Sequence, residues 1–212
     1  MPSLPHLIAF SVTTLVFVVI PGPSVLFTIG RALSVGRREA LLTVAGNSIG
    51  EALLVVLVAV GLGAVVSASA TLFALIRIGG ALYLTYLGVQ AIRHRRSLVE
   101  AVGPATAGST AVRAIGRGFV VGATNPKTLV FFAAILPQFA EPSLGHVWLQ
   151  MLALGAVFPV LGIMNDTCIA LGASTFRSWF ARSPRRLEIV GGTGGLAMIA
   201  VGIGLLVNGR NE

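Results

Sequence analysis

The chain has 212 residues, of which 55% are hydrophobic and only 10% charged, against roughly a quarter charged in soluble domains. Its formal net charge is +8, but the basic residues are gathered into a few loops between apolar runs, a pattern of membrane topology and anionic-lipid contact rather than of nucleic-acid binding. A lone Cys168 excludes an intrachain disulfide, and the sequence has neither a Walker-type phosphate loop nor a Cys/His cluster for a soft metal.

Six apolar runs follow one another, each about long enough to cross a hydrocarbon core of roughly 30 Å. They are Leu7 to Ile29, Leu41 to Val66, Leu72 to Ile92, Gly118 to Phe139, Val147 to Ala173 and Ile189 to Val207. The residues before the first run carry no Lys or Arg, so it is expected to be a retained span and not a cleaved signal peptide. Inside it, Ile20-Pro21-Gly22-Pro23-Ser24 places two prolines in mid-span. A proline removes a backbone donor and clashes with the preceding turn, so the helix is predicted to come apart there. The fourth run repeats that grammar at Thr124-Asn125-Pro126-Lys127. Within lipid, freed backbone groups are tolerated only where protein or a water-filled cavity receives them. Two such breaks at corresponding places point to a transporter built from repeats around a central site.

Arg31, Arg37 and Arg38 lie between runs one and two. Arg93, Arg95, Arg96, Arg113 and Arg117 lie between three and four, and Arg177, Arg182, Arg185 and Arg186 between five and six. The intervening loops, Ser67 to Thr71 and Ala140 to His146, have no Lys or Arg. The positive-inside rule therefore predicts three cytoplasmic basic loops and both termini outside. The expected fold is an all-α integral membrane protein of six transmembrane helices, a 3+3 inverted repeat with broken helices in spans one and four. It forms a single membrane domain over 1–212, with a first half at 1–92, a cytoplasmic linker at 93–117 and a second half at 118–212. The linker contains Gly103-Pro104-Ala105-Thr106-Ala107-Gly108-Ser109-Thr110, a flexible composition. Gly46/Gly50, Gly118/Gly122 and Gly191/Gly195 are spaced to let helices approach closely.

Four ionisable residues fall inside spans: Glu51, Arg77, Lys127 and Asp166. Each costs about 2.5–3.5 kcal/mol at mid-span on insertion scales, so each needs a reason. Pro21 to Pro23, Lys127 and Asp166 share a level roughly 10–13 Å from the cytoplasmic ends at 1.5 Å per residue, with Glu51 about a turn deeper and Arg77 in the outer half. A zwitterionic amino acid fits that level. The unpaired N–H groups that open each second half-helix suit its carboxylate, beside Lys127. Asp166 and Glu51 are the two candidates to receive its ammonium or to carry a proton. The competing readings are structural: a snorkelling Lys127, an Arg77–Glu51 interhelical ion pair, an Asp166 bonded to broken-helix backbone, and Ser24, Asn47 and Asn165 as polar glue between helices. The histidines His6, His94 and His146 lie outside or at the ends of spans, so no intramembrane nucleophile–base pair arises and no enzyme is expected.

At these residues the chain resembles the LysE/RhtB family of small bacterial amino-acid exporters. The resemblance is carried by Pro21-Gly22-Pro23, by Ala45-Gly46-Asn47-Ser48-Ile49-Gly50-Glu51, by Gly79-Gly80-Ala81-Leu82-Tyr83-Leu84-Thr85-Tyr86-Leu87-Gly88-Val89-Gln90, and by Asn125-Pro126-Lys127 with Leu136-Pro137-Gln138-Phe139. It covers most of the first 140 residues in order and weakens afterwards. It implies a cofactor-free exporter in the bacterial inner membrane, driven by the proton or ion gradient, often dimeric. Ser24 departs from the Asn or Asp that often follows the proline motif. Lys127 and Phe131 stand where the basic-amino-acid branch resembles an Asn and a carboxylate, so the homoserine/threonine/leucine branch is implied. The site residues expected are Pro21, Gly22, Pro23, Ser24, Asn47, Glu51, Asn125, Pro126, Lys127 and Asp166, with no metal. Two alternatives stay open: a carrier of another small zwitterion or ion, and a non-transporting membrane scaffold subunit.

Overall fold

The computed structural model describes residues 2–95, 110–181 and 183–208. The glycine-rich linker segment at 103–109 lies outside the described residues. Among those described, the chain is helical throughout apart from short turns.

The first apolar run is two helices, α1 (Leu4–Val19) and α2 (Pro23–Ser34), bent by 49° at Ile20 to Gly22. Pro21 has no N–H to return to Phe17 and Pro23 none to return to Val19, so the helix cannot continue. Pro23 then opens α2, where a fixed φ suits the first helical position and the missing donor costs nothing. The fourth run breaks by the same rule into α5 (Ala111–Ala123) and α6 (Pro126–Ala134), with a 43° bend and Pro126 at the first position. A short 3-10 turn, Leu136–Phe139, extends α6.

Runs two and three are α3 (Arg37–Ala68) and α4 (Ala70–Arg93), and run six is α10 (Pro184–Asn208). Run five is interrupted as well, into α7 (Val147–Gly155) and α8 (Val157–Thr175). The cause is Pro159, whose ring meets the carbonyl four residues back, that of Gly155. A short helix, α9 (Arg177–Ala181), follows. Among the described residues, four helical stretches are long and apolar enough to cross a membrane, or up to six if each bent pair counts as one.

Close backbone contacts fix the direction of the helices. A Cβ on Gly46 would lie 2.0 Å from the carbonyl oxygen of Ile115, and one on Gly122 would lie 2.1 Å from that of Asn47. Gly118 and Gly50 make the same kind of contact with Thr43 and Phe119, so α3 and α5 run parallel with their backbones touching. Gly88 and Gly195 face each other across an antiparallel α4–α10 pair. Phe10, Phe17, Phe131, Phe132 and Phe158 fill the core between α1, α6 and α8. The outward faces are apolar too: Ile8, Val12, Leu15 and Val16 of α1 and Val56, Leu57 and Val60 of α3 are exposed, as a lipid-facing surface requires.

Candidate functional site

The two breaks touch. Lys127, in the first turn of α6, turns its ammonium to the open end of α1 and donates to the carbonyls of Phe17 at 2.9 Å and Ile20 at 2.5 Å. It also stands 4.4 Å over the Phe17 ring. Pro21 has no N–H to give the Phe17 carbonyl, which accepts instead from the Ile20 N–H at 3.2 Å and from this ammonium, and a cation at a helix C-terminal end is favoured by the aligned peptide dipoles. Gly22 makes room for this arm: a Cβ there would fall 2.6 Å from Lys127 Cδ. Asn125 links the same breaks from its side, donating from Nδ2 to Ser24 Oγ at 3.0 Å while its Oδ1 caps α6 by accepting from the Lys127 N–H at 3.1 Å. No side chain caps α2.

A second polar group lies between α3 and α8. The Asn47 amide donates to Glu51 Oε1 at 3.1 Å and to Asp166 Oδ2 at 3.2 Å. Asn165 donates to the other oxygen of Asp166 at 3.2 Å and to the Val18 carbonyl, also at 3.2 Å, at the end of α1. Asp166 therefore receives an amide N–H on each oxygen. Glu51 receives one on Oε1 alone, and its Oε2 has no protein partner; Gly162 of α8 leaves that side open, with a Cβ there only 3.0 Å away. Glu51, Asn47, Lys127 and Asp166 are each at most 4% exposed.

The breaks, the cation and both carboxylates thus gather about the end of α1. Arg77 does not join them. His6 pairs with Glu141 and Arg31 with Glu39, whereas the anticipated Arg77–Glu51 pair does not form. Glu51 lies 18 residues before Ser69 and Arg77 eight after it, an axial offset of about 15 Å in an antiparallel pair. Phe17 and Gly162 are contributors that carried no chemical signal in the sequence, being an aromatic and a glycine within apolar runs, whereas Asn165, read there as polar glue between helices, donates to Asp166 and to the Val18 carbonyl. Among the described residues no cluster of His, Cys, Asp and Glu is arranged to hold a metal ion.

Beside the break is a cavity of about 560 Å³, bounded by Pro21, Val25 and Ile29 on one side and Ile169, Ala173 and Phe180 on the other. Its walls are apolar, and Pro21 and Val25 of its lining flank the start of α2.

A helical membrane protein in which two interrupted helices meet over buried opposite charges has the make-up of a transporter and not of an enzyme. The family model described as LysE type translocator matches residues 15–209, and the chain belongs to that family. It is similar to the homoserine/homoserine lactone efflux protein of Salmonella typhimurium, 31% identical over 205 residues covering 96% of each chain. A membrane protein of Vibrio cholerae is 33% identical over 183 residues, 86% of each chain. The leucine efflux protein of Enterobacter sp. is 27% identical over 188 residues, 87% of this chain and 86% of that one. No solved structure gives a significant match.

Proposed function

We propose that this chain is a secondary exporter of small neutral amino acids of the homoserine, threonine and leucine type, exchanging them for protons across the bacterial inner membrane. The observation that carries the reading is the meeting of the two broken helices. The amino end of α2 has no side-chain cap, and Pro21 and Val25 on either side of it line the apolar cavity, an arrangement that suits a carboxylate at the helix end with its side chain against Val25, Ile29 and Ile169. The carboxylates between α3 and α8 suit the ammonium. The names of the efflux relatives support the same substrate class.

In this reading the bent pairs are spans one and four of six, the halves 1–92 and 118–212 are inverted repeats, and the Arg-rich ends face the cytoplasm with both termini outside. The parallel α3–α5 pair and the antiparallel α3–α8 and α4–α10 pairs agree with that alternation. The test is reconstitution of the purified protein into liposomes with labelled homoserine, threonine, leucine and lysine. Counterflow of at least one neutral amino acid, with none of lysine, is the expected outcome. Lysine counterflow, or none at all, overturns the reading.

A further inference from the structure

Resting on the exporter reading above, we propose that Glu51 is the group that binds and releases the coupling proton, and that Asp166 beside it is a permanent carboxylate. The sequence leaves these two interchangeable, since each is one acid in an apolar span. Their surroundings separate them. Asp166 takes an amide N–H on both oxygens, from Asn47 on Oδ2 and from Asn165 on Oδ1, which satisfies an ion and leaves an acidic proton no oxygen free of a donor. Glu51 takes one N–H, on Oε1, and its buried Oε2 has no protein partner. A buried oxygen of that kind is costly as a bare anion and is the natural seat of a proton.

Charge counting leads to the same place. With all three groups ionised, Lys127, Glu51 and Asp166 sum to one negative charge, in a region where none of them is more than 4% exposed. One added proton makes the cluster neutral. The other elements around Glu51 are poor in charge: α8 brings Asp166, α6 brings Lys127, α7 has no ionisable side chain, and the Arg77 of α4 is offset by about 15 Å along the axis. Glu39, further down α3, and Arg31 of α2 are already paired at 2.5 Å. The arginines of α5, Arg113 and Arg117, lie before Gly118, whereas it is Gly122 that meets Asn47.

Exchange follows from competition for Oε2. Facing the cytoplasm, the O–H bond of Glu51 breaks, its proton passes to water, and an N–H of the substrate ammonium donates to the same oxygen. Facing outward, the amino acid leaves and a proton from external water re-forms the O–H bond. One oxygen cannot hold both, so each turn carries an amino acid out against a proton in.

The experiment uses the full chain in proteoliposomes, with labelled L-leucine and L-homoserine as probes. Two modes are read: counterflow at equal pH, and uphill transport driven by an imposed pH gradient. In Glu51→Gln the amide oxygen can still accept an N–H of the substrate ammonium but takes up no proton, so counterflow continues at a lowered rate while pH-driven transport falls to background. In Asp166→Asn the ratio of the two modes stays at its wild-type value, whatever the overall rate. A ratio kept by Glu51→Gln, a ratio lost only in Asp166→Asn, or drive by a sodium gradient in place of a pH gradient overturns the assignment while leaving the exporter reading intact. No wild-type counterflow overturns the exporter reading, and the assignment with it. If Glu51→Gln fails to fold, infrared difference spectra on adding substrate decide between the two acids. Deprotonation of a carboxylic acid seen in both wild type and Asp166→Asn supports Glu51, and its disappearance in Asp166→Asn overturns it.

Discussion

Pro21 cannot donate to the Phe17 carbonyl of α1, which takes the Ile20 N–H at 3.2 Å and, from the other half of the chain, the Lys127 ammonium at 2.9 Å. Lys127 is thereby committed to backbone at the break, over the Phe17 ring and within range of both carboxylates. Removing one partner from such a buried arrangement costs about 3–5 kcal/mol, because the remaining groups stay buried without compensation. Lys127→Met is therefore expected to lower unfolding stability in detergent by that order. The double variant Lys127→Met/Asp166→Asn should regain part of it, since the second change removes an uncompensated anion. An unchanged unfolding midpoint in Lys127→Met, with weakened amino-acid binding, would instead assign the ammonium to the substrate carboxylate. Lys127, Glu51 and Asp166 were legible in the sequence because ionised groups in apolar runs are costly. Their partners were not: Phe17 and Ile20 lie 110 and 107 residues from Lys127, and no local pattern connects them.

The elements were more legible than the contacts, since hydropathy and proline act locally. All six runs correspond to helical stretches, and both predicted breaks fall at the prolines that forecast them. The third interruption, between α7 and α8, has its own local sign in Pro159 and went unread in an otherwise uniform apolar run. Each break makes a separate expectation. Replacing Pro21 and Pro23 with Ala restores two backbone donors and lets α1 and α2 close into one helix, displacing Lys127 from the Phe17 and Ile20 carbonyls. The double variant should insert at least as well as the wild type but lose counterflow, and wild-type counterflow would reduce the break to a kink. The glycine pairs are a different case, because their spacing foretold close approach without saying to what. Gly122→Ala would set a Cβ 2.1 Å from the Asn47 carbonyl oxygen, a contact relieved only by parting α3 from α5. Overpacking of this kind costs about 1–3 kcal/mol, measurable by thermal unfolding in detergent. Because Asn47 bridges the two carboxylates, this variant should also weaken pH-driven transport more than it weakens insertion.

Across the whole molecule, helix direction and charge distribution constrain each other. Gly46 against Ile115 and Gly122 against Asn47 make α3 and α5 parallel, so in the six-span arrangement proposed above both would enter the membrane from the same side. Asn47 against Asp166, with Glu51 against Gly162, makes α8 antiparallel to α3, and Gly88 against Gly195 makes α10 antiparallel to α4. With those directions the described basic residues Arg31, Arg37, Arg38, Arg93, Arg95, Arg113, Arg117, Arg177, Arg185 and Arg186 lie toward one face. Arg177 donates to the Ser34 carbonyl at 3.3 Å. The inner leaflet is the anionic one and attracts such clusters by about 1 kcal/mol per basic residue near the surface, so this face should be cytoplasmic. A reporter fused after Arg96 is then expected to be active only in its cytoplasmic form, and one inserted at Ser69, between α3 and α4, only in its external form. Two reporters reading the same side would break the alternation and with it the six-span arrangement. Two reporters reading opposite but exchanged sides would keep the spans and invert the carrier. That outcome would turn the cavity beside Pro21, Val25 and Phe180 toward the exterior and make export through it untenable.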